Sequence, residues 1–133
     1  MANTTFTGPV RSQNGFQSVT VSSTTGAVTV NSSFGKDVVL STQSLSGAGA
    51  VNVTDAFTSL TTTGASQALT LANGSVGEVK IIVHAVDGGS AILTPTTKIG
   101  FSTITFTAVG DAVTLIYTSA GWAVIGSKGI TIA

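Results

Sequence analysis

His84 is the first residue to weigh for chemistry, because an imidazole is the side chain best suited to move a proton near neutral pH. It lies in Val79-Lys80-Ile81-Ile82-Val83-His84-Ala85-Val86, shortly before Asp87, so a general base with a neighbouring carboxylate is one reading. Strand alternation sets Lys80, Ile82, His84 and Val86 on one face and Val79, Ile81, Val83 and Ala85 on the other. No second histidine, no cysteine and no Gly-x-Ser-x-Gly elbow is present, so no nucleophile accompanies it. A half-exposed strand residue or a subunit contact is therefore the expected role of His84. Zinc would need several His or Cys ligands. The acids Asp37, Asp55, Glu78, Asp87 and Asp111 are too scattered for a calcium loop or for the paired carboxylates of glycoside cleavage. Asp87 and Asp111 each adjoin glycine and read as turn formers that cap their own backbone. No catalytic residue, no cofactor and no metal is expected, and the chain reads as a non-enzyme.

Other motifs resolve in the same direction. Gly47-Ala48-Gly49 lacks the further glycine or Lys-Ser/Thr of a phosphate cradle and reads as a loop. Asn-x-Ser/Thr triplets at Asn3, Asn31, Asn52 and Asn73 are what a Ser/Thr-rich chain contains by chance. Thr103-Ile104-Thr105-Phe106-Thr107 resembles the Thr-x-Thr rows of ice-binding surfaces, but such rows need a constant repeat and none is visible. A strand with its threonine face toward solvent or a neighbouring subunit is expected there. Tyr117 and Trp122 flank the turn at Ala120-Gly121, where the pair could stack on a sugar or a partner. The expected arrangement is the more common one, an aromatic body in the core with its polar end hydrogen-bonded.

These residues must be positioned by strands. Val, Ile and Thr are stiff at χ1 and suit a pleated, half-buried surface. Period-two runs recur at Val19/Val21, Val28/Val30, Val51/Val53, Leu69/Leu71, 79–86, 91–94, 104–108, 112–117 and 122–125. Turn signals separate them, among them Asn73-Gly74, Asp87-Gly88-Gly89, Gly110-Asp111 and Lys128-Gly129. No stretch shows a helical apolar stripe. The expected fold is all-β: an antiparallel β-sandwich, jelly roll or small barrel. Residues 1–17 differ, with Gly8-Pro9, Asn14-Gly15 and few apolar groups; they read as an extended N-terminal arm, and 18–133 as one β domain.

Charge sets the functional class. Only 8% of the 133 residues are charged, 42% are hydrophobic and the net charge is zero. A folded monomer of 13.1 kDa should expose roughly 6,400 Å², which the ten charges coat thinly. No basic field is available for nucleic acid. No signal-peptide core or apolar run of ~20 residues points to export or a membrane helix, and aromatics at 6% are too few for the girdles of a small membrane barrel. Weak like-charge repulsion and open strand edges make such a surface a liability unless it is covered.

The opening Thr4-Thr5-Phe6-Thr7-Gly8-Pro9-Val10-Arg11-Ser12-Gln13-Asn14-Gly15-Phe16 resembles the start of small virion structural proteins of tailed, notably marine, bacteriophages. The stretches Leu71-Ala72-Asn73-Gly74-Ser75-Val76-Gly77-Glu78-Val79-Lys80, Leu93-Thr94-Pro95, Val109-Gly110-Asp111-Ala112-Val113-Thr114-Leu115 and Gly121-Trp122-Ala123-Val124-Ile125-Gly126 resemble a β-rich module of phage head-decoration and fibre proteins. The likeness spans the arm and the second half; residues 18–68 have no counterpart in it. It implies a homotrimeric virion part; taken with the thin charge and the missing catalytic set, the expectation is a capsid decoration (cement) protein on the virion surface, made in the host cytoplasm without a signal peptide. Its partner would be the major capsid protein, gripped by Phe6, Pro9, Arg11 and Phe16, with neither nucleic acid nor membrane bound. The alternative is a fibre or knob module that binds a receptor or glycan through Tyr117 and Trp122.

Overall fold

The computed structural model describes residues 16–34 and 39–133. The chain divides into two compact units, 1–39 and 40–133. The described part of the first is a hairpin, β1 (Phe16–Val21) and β2 (Val28–Phe34), paired antiparallel with a register shift between Ser18 and Val19. Of the expected arm, Phe6, Pro9 and Arg11 lie outside the described residues, as does the side chain of Phe16, whose backbone opens β1.

The second unit is a two-sheet sandwich. Its strands are β3 (Thr42–Ser46), β4 (Gly49–Val51), β5 (Phe57–Thr61), β6 (Gln67–Leu71), β7 (Val79–Val86), β8 (Ala91–Pro95), β9 (Ile104–Phe106), β10 (Ala112–Thr118), β11 (Gly121–Lys128) and β12 (Thr131–Ile132). One sheet has the order β11-β10-β7-β5-β3 and the other β12-β9-β8-β6-β4. The core lies between them and includes Leu60, Ile82, Val113, Leu115 and Trp122 from the first sheet with Val51, Leu69, Leu71, Leu93, Ile104 and Phe106 from the second. Fully burying each such side chain stabilises the fold by about 1.5–3 kcal/mol.

The all-β sandwich is as expected, but its sheets are mixed. From β3 to β8 the chain changes sheet at every connection. After two changes it re-enters its first sheet running in the same direction, so β3, β5 and β7 pair in parallel, as do β4, β6 and β8. Asp87-Gly88-Gly89 and Asn73-Gly74 are thus arches between sheets, not hairpin turns. From Thr96 on the pairing becomes antiparallel: β9 adds to β8, β10 to β7, β11 to β10 and β12 to β9. The parallel coils do not share one repeat. Phe57 lies beside Ile81 and Leu69 beside Leu93, the same interval in both sheets, whereas Thr42 beside Phe57 and Gly49 beside Leu69 stand at shorter, unequal ones.

Candidate functional site

The residues that could do chemistry are mostly inside. His84 is completely buried on β7, which overturns the expectation of a half-exposed strand residue. Its Nε2 lies 3.0 Å from the Thr62 hydroxyl, which also accepts the Gly88 N–H at 2.8 Å; its Nδ1 has no hydrogen-bond partner. The Phe106 ring packs edge-on at 6.4 Å. His84 thereby ties β7 to the arch after β5. Asp87 is exposed in the next connection, where its carboxylate accepts the Gly89 N–H at 2.8 Å, so it caps its own turn. Asp111 is buried and also caps a turn, accepting from the backbone N–H of Thr107 at 2.7 Å and of Ala108 at 3.0 Å. The Thr107 N–H bond first, then the other donors and the nearby His84, hold this carboxyl below its ordinary range against the opposing effect of burial.

Lys80 is 1% exposed. Its ammonium donates to the Asp55 carbonyl in the connection between β4 and β5, an arch further fixed by Asn52, which donates to the Asp55 carboxylate at 2.7 Å. Burial lowers the Lys80 pKa, and the charges of Asp55 and Glu78 offset part of that effect. Among the described residues no cluster of three or more His, Cys, Asp or Glu is placed to hold a metal.

Trp122 has no exposed surface. Its indole N–H donates to the Ala72 carbonyl at 2.8 Å, and Tyr117 meets it edge-on with centroids 5.1 Å apart. The expected core arrangement is the one found. The sugar-stacking role is corrected to that extent: Trp122 presents no ring face to a ligand.

What the second unit does present is two broad sheet faces. On β7 the alternation is inverted relative to polarity: Lys80, Ile82 and His84 point into the core, while Val79, Ile81 and Val83 point out. Register continues this outer face across the sheet, through Phe57 beside Ile81 and Ile116 beside Val79. A bulge after Thr114 adds Ile125, 59% exposed, at the β11 edge, next to an open groove of about 260 Å³ lined by Ala112, Thr114, Gly126 and Lys128. The opposite face, on the second sheet, carries the row Ala50-Thr70-Thr94 and beside it Ala68-Ile92-Thr105. Thr105 of the Thr-x-Thr run is on this face, as expected, with Ile104 and Phe106 turned inward.

Both faces are nearly free of charge. Among the described residues Asp55, Glu78, Asp87 and Lys98 sit in connections, Lys80 and Asp111 are buried, and only Lys128 stands at a face, on the end of β11. Sequence reading found the two β7 faces but not which one is inside. The signal was the contrast between three aliphatics on one side and Lys80 with His84 on the other; ordinary hydrophobicity would have turned that strand over. No protein-family model matches the chain, and no curated protein is significantly similar to it.

Proposed function

We propose that this chain is a virion structural protein of a tailed bacteriophage, a capsid decoration protein that binds the head shell as a homotrimer and stabilises it. The observation that carries the reading is a pair of sheet faces with a single charge between them, Lys128 at one strand end, the other ionised groups among the described residues lying in connections or the interior. Neutral Ser, Thr and Ala faces lose less on desolvation than Lys or Glu would, so they suit a tile covered by neighbours. The resemblance of the N-terminal segment and of the second half to phage decoration and fibre proteins supports the same reading. In it, Phe6, Pro9, Arg11 and Phe16 bind the major capsid protein, and the energetic task is to bridge capsomers against internal pressure. No enzymatic step is part of this role.

The test is reconstitution. The full chain is mixed with undecorated shells of its phage and sedimented. Co-sedimentation that saturates at a fixed ratio, with shells that then break at higher temperature, is expected. Phe6→Ser combined with Arg11→Glu should weaken binding at least tenfold while the near-ultraviolet circular dichroism of Trp122 is unchanged. Shells that remain bare at saturating protein would contradict the proposal.

A further inference from the structure

We infer that the outer face of the sheet β11-β10-β7-β5-β3 is where copies of this chain meet, the occupant of the face being a second copy of itself. The inference rests on the proposed assembly and names its self-contact. A solvent-facing strand ordinarily turns polar side chains outward. β7, at the centre of this sheet, does the reverse, burying Lys80 and His84 and turning out Val79, Ile81 and Val83. A strand apolar on its outer face and packed on its inner one reads as covered on both sides.

The face also selects its partner. Its apolar centre of Phe57, Val79, Ile81, Val83 and Ile116 carries no carboxylate, and its single cation, Lys128, stands at the β11 edge. A charged partner would lose hydration without finding a counter-charge. Another copy offers the same neutral surface, an apolar strip flanked by serine and threonine hydroxyls that can pair with their counterparts, and contact between copies closes by symmetry. Size permits it. Five strands about 4.8 Å apart and roughly 20 Å long make a face on the order of 500 Å² in projection, and two such faces reach the roughly 1,000 Å² that a specific interface needs. Hydroxyls line both outer faces, Ser44, Ser59, Thr61 and Thr114 on this one and Thr70, Thr94 and Thr105 on the other. But the second sheet's rows hold one large aliphatic, Ile92, where this face gathers Phe57, Val79, Ile81, Val83 and Ile116, so the second is the one left for solvent or shell.

The experiment uses the full chain free of shells. Mass is measured by sedimentation equilibrium for the parent, for Ile81→Glu and Ile116→Glu on adjacent strands of this face, and for Thr94→Lys on the other. The parent and Thr94→Lys are expected as a closed oligomer, and each glutamate variant as a species of 13.1 kDa with the parental near-ultraviolet signal of Trp122. Because the chain has no cysteine, Ile125→Cys and Thr94→Cys report accessibility directly: a bulky maleimide should label the Ile125→Cys thiol at least tenfold more slowly than the Thr94→Cys thiol. Three-chain mass with this pattern supports both the face and the trimer. Two-chain mass with the pattern supports the face and removes the trimer. An oligomer with the pattern that ignores shells supports the face and removes the decoration role. A parent of single-chain mass at high concentration overturns the inference, including the case where Ile125→Cys becomes shielded only on shells. Equal labelling of the two thiols, or parental mass retained by a folded glutamate variant, also overturns it.

Discussion

At the scale of single residues, the side chains that attract attention in the sequence serve the fold. Asp87 and Asp111 were legible as turn caps, since an aspartate beside glycine satisfies its own backbone, and both do so. His84 and Lys80 were not, because polarity argues for solvent and their burial depends on partners far along the chain, Thr62 and the Asp55 carbonyl. Lys80 gives a testable consequence. Its folded pKa lies below the ordinary 10.5, so between that lowered value and 10.5 the unfolded chain binds more protons than the folded one. Stability therefore rises with pH across that window. In Lys80→Met the loss of a desolvated charge and the loss of a donor to the Asp55 carbonyl oppose each other, each about 1–3 kcal/mol. The variant is expected within about 1 kcal/mol of the parent at neutral pH and to lack the alkaline gain. Urea denaturation of both chains from neutrality toward pH 10.5 checks this; parallel pH profiles would contradict it.

Elements were read more completely than their connections. The runs at 79–86, 91–94, 104–108, 112–117 and 122–125 became β7 to β11, within a few residues at their ends, because period-two alternation reports which side chains face a common core. Strand direction was not legible. A Gly-containing break serves a hairpin or an arch equally well, and the choice is made by whether the next strand pairs with the last one or crosses the core. The stacked arches show what the glycines do. The connection after β7 lies on the one after β5: Gly89 has φ +140°, and a Cβ there would stand 2.4 Å from the Gly64 carbonyl carbon. Gly89→Ala should therefore cost at least about 2 kcal/mol, from strain and overpacking together. Gly100→Ala, at φ +76° with nothing within 4 Å of the added carbon, should cost about 1 kcal/mol. Thermal or urea denaturation of the two variants decides it, and equal losses would show that the arches do not press on each other.

At the scale of the molecule, composition foretold a thin coat of charge, and the fold thins it further where it matters. Two of the seven ionisable Lys, Asp and Glu side chains from Leu40 onward, Lys80 and Asp111, are withdrawn into the interior, and four sit in connections. The broad faces are left to aliphatics, Phe57, alanine, serine and threonine, with Lys128 at one strand end. That arrangement needed the topology: only when β3 to β8 alternate between sheets do Ala50, Thr70 and Thr94 fall into one row and Phe57 and Ile81 into another. The resulting surface is costly to leave in water and inexpensive to cover, which is the physical basis for reading the chain as a repeated tile of a shell. Counting and locating its copies on purified particles tests this most directly. Quantitative mass spectrometry with imaging of the same particles is expected to show hundreds of copies, each bound at a repeated position over the head. A single ring of copies at the tail, or none on the particle, would contradict the account.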